Sequence, residues 1–574
     1  MQENKLIDDS RLNMTYEELN MTEIMRSEVN LALESALAKL RLCQSEDGRF
    51  EGRLSSNTYP TCSFAVIERL LGETVDERVI GWLLENQNRD GMWGLDTSGI
   101  SDPQATALVR ALLKSVSGRR LIPDVETALR RSPPVKSSIF HVRLLSALLG
   151  ETSWDEVIPG RGMNLAIRLL SRLPRFLRSK VSPPPTLSPP PELFLTPIFE
   201  DLFIAEQHTL VPILLMIELE RRGGSDLARM LLEWLLARRL PDGSWFRVNF
   251  ITSLSTMALI RCRDRGFPGL DHLIEESVVW LEGTRNNDGG FREAVNLNVW
   301  DTALSLYAML EAGVAKEDPS IQKGCRWLIE VQNEDGGWPF SGVRWEGLPS
   351  DADDTALATL ALMRAGHRDD PAAENGLAWL LANQTEGGYW STYVPGSGDV
   401  GCVSITAHAA EALKESGEME RELSRAIRWL ERRITSQGYW DDLWLARNTY
   451  GTASAIAILA KADRGDSEAI RRGLRWLKSQ QNPDGGWGED MFGRRAPSTA
   501  EQTAWSVYAI MLAEGKIGEE VERGIRFLLE RQRPDGGWDP SPVGIYWEVI
   551  GGYEDTIYAL VFPILALSTA RRLI

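Results

Sequence analysis

Histidine and cysteine are both scarce in this chain, five of each among 574 residues, and the scarcity removes several chemistries. Cys43, Cys62, Cys262, Cys325 and Cys402 show no pairing rhythm, so they read as buried thiols in a reducing compartment rather than a disulfide frame. The histidines are His141, His208, His272, His367 and His408, and Cys402 lacks an Asp-x-Cys context, so a zinc site built from Asp, Cys and His has no matching ligand pattern. Positive charge is also in deficit. Lys and Arg number 63 against 81 Asp and Glu, a net charge of −18, which argues against a nucleic-acid partner because nothing offsets phosphate repulsion. No apolar run reaches the roughly 18 residues of a spanning helix, and the N-terminus is too polar and acidic for a secretory or transit peptide. What remains is an ordinary soluble composition, 43% hydrophobic and 25% charged. The length calls for about two to four domains.

Repetition organises most of the chain. The register Gln-x-x-Asp-Gly-x-aromatic appears at Gln44 to Phe50, Gln87 to Trp93, Gln332 to Trp338, Gln481 to Trp487 and Gln532 to Trp538. Looser copies end at Trp245, Phe291, Trp390 and Trp440, and from Gly243 onward successive copies lie 46 to 52 residues apart. Such a period marks an array of like supersecondary units. Each later copy follows one helical pattern and precedes another, so the unit is helix, Gly-rich turn, helix. The glycines are expected to end the first helix in a left-handed cap. The Gln amide is expected to bond backbone groups at neighbouring helix ends, with the aromatic ring packed over the turn. These are structural staples, and the period alone leaves open a solenoid or a closed toroid.

Residues 182–191 (Ser-Pro-Pro-Pro-Thr-Leu-Ser-Pro-Pro-Pro) cannot be helical and predict an extended segment. The apolar cluster at 192–218 that follows is either one more core helix or an exposed patch touching a membrane, with Phe194, Leu195, Ile198, Phe199, Leu202 and Phe203 as its surface.

The stretch Asp351-Ala352-Asp353-Asp354 opens an apolar helical run, Thr355 to Ala365. Three carboxylates at a helix start repel one another, so at least one retains its proton near neutral pH. The helix N-terminus favours the anion left after that proton departs. A carboxylic acid loaded in this way suits protonation of a carbon-carbon double bond. A solvated acidic N-cap is the competing reading, since Asp caps helices well.

Taken together, the repeats and the acid motif resemble the squalene-hopene-type class II terpene cyclases, with their QW and DxDD motifs. Val299-Trp300-Asp301-Thr302-Ala303, Gly336 to Phe340, Ser404 to His408, Trp444 with Tyr450-Gly451-Thr452, Ser498 to Trp505, and Tyr558 with Val561-Phe562-Pro563 resemble further family segments in the same order. The resemblance runs from about residue 30 to 574 and is densest after 297. It implies an all-α fold of two α/α barrels in a dumbbell. The expected divisions are residues 1–29 packing on the C-terminal barrel, an N-terminal barrel at 30–296 with the insertion 182–218, and a catalytic C-terminal barrel at 297–574. The implied activity is protonation-initiated cyclisation of a linear polyprenoid. Asp353 is the implied proton donor, Asp351 and Asp354 share its proton, and His408 hydrogen-bonds it. Trp300, Phe340, Trp444, Tyr450 and Tyr558 are the implied cation-stabilising aromatics.

The family reading needs no cofactor; Mg²⁺ enters only if the substrate carries a diphosphate. It implies a cytoplasmic enzyme, often peripheral on the inner membrane leaflet through an apolar collar and often a homodimer. Two departures stand out: Ser404 replaces an acidic residue four positions before the His, and Asp555 stands where triterpene cyclases usually place a Tyr. The substrate stays open among a neutral polyprenoid, a prenyl diphosphate and a prenylated aromatic. Arg247, Arg292 and Arg344 are the cations nearest the motifs for a diphosphate. A prenyltransferase β-subunit would need the absent zinc ligands. A diphosphate-ionising synthase would need an Asp-rich helix, whereas Asp369-Asp370 precedes Pro371 in a connector. A non-catalytic helical scaffold would leave the acid motif without purpose.

Overall fold

The protein is described from a computed structural model that covers residues 16–116, 122–136, 139–174, 186–342, 348–393, 401–465, 467–546 and 551–574. Six helices, Asn298–Glu311, Ala352–Leu362, Val403–Ser416, Arg447–Lys461, Ala500–Glu514 and Tyr558–Leu573, pack each on the next, and the last packs back on the first. That closure makes a toroid rather than a solenoid. Nearly every position of these inner helices is buried, as expected of helices that are apolar all round. Their partners Pro319–Glu330, Pro371–Asn383, Glu420–Arg433, Glu468–Ser479 and Glu519–Arg531 carry one apolar stripe and form the outer ring.

The sixth outer position is taken by the N-terminal helix Tyr16–Arg41, which lies against Tyr558–Leu573. Val29, Leu33, Ala36, Leu40, Phe50 and Leu54 belong to the core of this toroid. The expected boundary at residue 30 therefore moves to about 55, because a closed ring needs this helix to cover its last inner member. The other core is built from residues 59–291, with Thr58–Leu70 packed against Pro103–Val116 and Asn249–Asp264, and the latter against Ile204–Arg222. Strand structure among the described residues is limited to two short hairpins, Trp487–Glu489 with Arg495–Thr499 and Gly544–Ile545 with Gly552–Tyr553.

The repeat motifs act as staples. Gln332 Nε2 donates to Gly336 O in its own turn at 2.8 Å and to Ala372 O in the next outer helix at 2.9 Å. Gln481 repeats this with Gly485 O and Glu520 O, each at 2.8 Å. The Trp indoles donate back to the preceding helix, Trp338 Nε1 to Leu328 O and Trp440 Nε1 to Leu430 O, each at 2.8 Å. One expectation fails. The glycines do not cap the helices: Pro319–Glu330 ends at Val331, whereas Gly336 turns the connector five residues later with φ +88°. Glycine is required there because the turn lies against the next outer helix, where a Cβ would come within 3.1 Å of Asn375 O.

The segment 192–218 is mostly core. Phe199 and Phe203 are buried and Ile204–Arg222 is an inner helix; of the expected surface residues only Leu195 is exposed. Residues 182–185 of the Pro-rich run lie outside the described residues, and Ser188 to Pro190 runs without helix into Pro191–Leu195. The exposed apolar face is instead formed by Leu165 and Leu169 on helix Arg161–Leu170, with Leu173 and Leu195 beside it.

Trp338 couples the staple to the acid motif, because its backbone N–H is bonded by Thr355 Oγ1 at 2.9 Å. Trp338→Phe should lower stability by about 1–2 kcal/mol through the lost indole bond, and Trp338→Ala by about 3–5 kcal/mol through the cavity it leaves. Denaturant unfolding measures both. Equal stability of the two variants would show that the ring fills no essential space.

Candidate active site

Asp351 is the N-cap of Ala352–Leu362, and its Oδ1 accepts the backbone N–H groups of Asp353 at 3.1 Å and Asp354 at 2.9 Å. The capping reading therefore holds for this one residue. It is not solvated, however: Asp351, Asp353 and Asp354 are all buried. Burial pushes Asp351 up to about 7 against the pull of the two amides. Burial, followed by the charges of Asp351 and Asp353, holds Asp354 well above the carboxylate range. Asp354 Oδ1 has no hydrogen-bond partner.

Asp353 Oδ1 is bonded by His408 Nδ1 at 2.6 Å. His408 sits on Val403–Ser416, the inner helix next to the acid motif, so ring packing alone brings the two together across 55 residues. Burial pulls the imidazole down, but the charge and hydrogen bond of Asp353 outweigh it and the net shift is upward. The protonated ring then donates Nδ1–H, and Asp353 Oδ2 is the oxygen left to face the cavity. On its other side His408 Nε2 is 3.4 Å from the Tyr450 hydroxyl.

Another carboxylate lies near Ser404, where the family acid is missing, without bonding His408. Asp442 Oδ1 accepts Ser404 N–H at 3.0 Å and the Cys402 thiol at 3.2 Å, at the N-terminus of the helix that carries His408. Nothing in the sequence near His408 signals this carboxylate, which arrives from the next turn motif. Asp301 and Asp555 are two further buried carboxyls beside the motif.

A cavity of about 810 Å³, its open mouth included, lies where the two cores meet and is lined by Asp351, Asp353 and Asp354. Trp300, Phe340, Trp444 and Tyr558 all line it. Trp300 also lies 5.8 Å from His408, ring to ring. Tyr450 does not line it. Its hydroxyl stands behind His408 in a second cavity of about 600 Å³ inside the catalytic toroid, so it is not placed to face a cation in the main cavity. Phe203, Phe246, Tyr393, Tyr546 and Tyr553 complete the aromatic wall and carry no sequence motif. Phe246 and Arg247 adopt positive φ of 57° and 53°, unusual for residues with a Cβ. That backbone turn directs Phe246 inward while Arg247 pairs with Asp242 at 3.0 Å and bonds Ser341 Oγ at 2.9 Å. Arg292 donates to Asn286 Oδ1 and Gly283 O, and Arg344 lies outside the described residues. No Lys, Arg or His is among the described residues lining the main cavity. Nor is any group of three or more His, Cys, Asp and Glu among the described residues arranged to hold a metal.

Residues 298–399 and 396–572 match the family model of the squalene-hopene cyclase C-terminal domain, and residues 2–129 match that of the prenyltransferase alpha-alpha toroid domain. The squalene–hopene cyclase of Alicyclobacillus acidocaldarius is 28% identical over 636 aligned residues, covering 94% of this chain and 97% of that one. The squalene–hopene cyclase of Bradyrhizobium diazoefficiens is 26% identical over 673, covering 98% of each. The ent-copalyl diphosphate synthase from Streptomyces platensis shares the fold, with a TM-score of 0.55 at 18% identity over 95% of this chain and 99% of that one. Together with two α/α cores around a carboxyl-lined aromatic cavity, these matches show that the chain belongs to the squalene-hopene-type class II terpene cyclases.

Proposed function

We propose that this cyclase acts on a neutral polyprenoid, with Asp353 as the acid that starts the reaction. The observation that carries the substrate reading is the cavity wall, apolar and aromatic with carboxyls at one end and no cation among its described residues. A diphosphate brought into that cavity would meet like charge and no donor fork among the described residues.

Asp353 Oδ2 gives its proton to a terminal double bond, the C–H bond forms as the π pair is used, and a tertiary cation results. The imidazolium of His408 stabilises the carboxylate left behind and so strengthens the acid. Later double bonds attack in turn, held close by the wall, and such prefolding supplies about 7–11 kcal/mol. Trp300, Phe340, Trp444 and Tyr558 face the migrating charge, at about 0.5–2 kcal/mol each. The last cation is discharged by losing a proton or by taking up water, which releases one, and Asp353 is reprotonated from solvent by way of His408. Behind it Tyr450 and the second cavity reach Glu411, whose carboxylate is bonded by Lys461 at 2.6 Å and Tyr307 at 2.9 Å.

Attachment to a lipid surface fits a substrate that barely dissolves in water. No described helix is long and apolar enough to cross a membrane. Leu165, Leu169, Leu173 and Leu195 make an exposed apolar face with the exposed Arg168 and Arg172 beside them, the composition of an interfacial helix.

Incubation with squalene and with geranylgeranyl diphosphate tests the substrate class. Cyclised product from squalene is expected, and turnover of the diphosphate alone would refute the reading. Asp353→Asn should lower kcat by about 100- to 10,000-fold, the range for loss of a general acid, with helical circular dichroism unchanged. His408→Ala should lower kcat with little change in KM, and near-normal kcat would make it a packing residue. Asp351 titrates at about 7 and His408 is raised, so both lose protons on the alkaline side; wild-type kcat should fall as pH rises through and above 7. In flotation, wild type should rise with neutral liposomes, and Leu165→Glu with Leu169→Glu should remain in the soluble fraction. Wild type left wholly in the soluble fraction would rule the attachment out.

A further inference from the structure

The proton delivery described above uses neither Asp301 nor Asp555, although both are fully buried beside the acid motif. Asp301 follows the cavity-wall residue Trp300 on Asn298–Glu311, and Asp555 lies just ahead of Tyr558–Leu573. Each has one oxygen satisfied by the backbone: Gly52 N–H donates to Asp301 Oδ2 at 2.8 Å, and Ile557 N–H donates to Asp555 Oδ1 at 2.7 Å. Their other oxygens, Asp301 Oδ1 and Asp555 Oδ2, receive no donor. The two carboxyls flank Gly52, and a bond between them would satisfy both unpartnered oxygens. Two carboxylates offer only acceptors, so such a bond exists only when one of them carries a proton.

The pair also sits at a seam. Leu54 bridges to Asp555, Ser55 N–H donates to Glu554 O at 3.1 Å, and Asn57 Nδ2 donates to Gly552 O at 2.7 Å. Gly52 lies so close that a Cβ there would fall 1.8 Å from Asp555 Oδ1. Residues 52–57 are thus laid along 552–555, next to the cavity-wall residues Tyr553 and Tyr558. On the other side the charge of Asp301 acts on Asp354. We propose that Asp301 and Asp555 share a single proton, and that this pair is a positioning device that seats residues 52–57 against the acid motif while sparing Asp354 a second negative neighbour.

The surroundings make that proton hard to lose. Burial, then Asp555, holds Asp301 well above the carboxylate range, and burial pushes Asp555 up to about 7. The other titratable groups facing the pair are Glu51 and Cys43 from the N-terminal segment, Asp354 from the acid motif, and Tyr546, Tyr553 and Tyr558 from the C-terminal segment. Arg53 is the neighbouring cation, and it is exposed. With both pKa values raised, the folded state binds more protons than the unfolded chain. Its stability therefore falls as pH rises from the ordinary carboxylate range through about 7.

Asn at 555 supplies an N–H donor at every pH and serves as the test, with melting temperature followed by circular dichroism from acid to alkaline pH. Wild type should lose melting temperature toward alkaline pH more steeply than Asp555→Asn, whereas Asp555→Ala, which has no donor, should melt lower than both throughout. In turnover of squalene, each profile scaled to its own maximum, the alkaline limb of Asp555→Asn should lie about one pH unit higher. Parallel melting curves for wild type and Asp555→Asn would overturn the shared proton. Different melting slopes with an unmoved turnover limb would overturn the link to the acid motif. Melting needs no substrate and is independent of the cyclisation reading; only the turnover limb rests on it. If Asp555→Asn fails to fold, Asp301→Asn replaces it, and the infrared band of a protonated carboxyl in wild type must still fade as the pair ionises; no such band would refute the proposal.

Discussion

Burying carboxyl groups side by side is the constraint on which this structure depends. Asp301, Asp351, Asp353, Asp354 and Asp555 are all buried around one end of the cavity, and among the described residues His408 is the one base bonded to any of them. Ionising all five in such a place would cost far more than a domain's net stability. The cluster therefore keeps protons. A stock of protons next to an apolar cavity is the physical condition for protonating an alkene. The bond from His408 at 2.6 Å stabilises the Asp353 anion ahead of the others, and on that ground Asp353 is proposed as the carboxyl that gives its proton up.

The toroid supplies the setting. Its inner helices aim their N-termini at the cavity, and those ends stabilise carboxylates through unpaired N–H groups and the helix dipole. Asp351 uses the start of Ala352–Leu362 and Asp442 the start of Val403–Ser416, and in the other core Glu293 uses the start of Asn249–Asp264 through Phe250 N–H at 3.2 Å. The Gln and Trp staples hold the outer helices onto this ring, and Thr355, adjacent to the acid motif, is bonded to one of them. Stability and acid geometry thus share residues.

Much of this was legible in the sequence. The repeat fixed the helix pairs, the acid motif fell at a helix start, and four of the five chosen aromatics face the cavity. The misses have physical causes. Tyr450 lies on an inner helix in the ring, and nothing in its spacing says whether its ring faces the main cavity or the second one behind His408. The 192–218 cluster stayed open between a core helix and a surface patch because its length and apolar content fit both; Phe199 and Phe203 are buried in the core. Asp442 and Phe246 were invisible because each is placed by a turn between repeats, where chain path, not periodicity, sets direction. The N-terminal segment was expected on the C-terminal barrel from the family resemblance alone; that the helix runs on to Arg41 is set by a long-range contact that no local pattern encodes.

Protonation from Asp353 is the central claim, and isotope transfer measures it most directly. Enzyme equilibrated in heavy water and given squalene should release cyclised product carrying one deuterium at the carbon protonated first, and Asp353→Asn should release none above background. Cyclised product without deuterium, or labelled product formed at a near-normal rate by Asp353→Asn, would contradict the account.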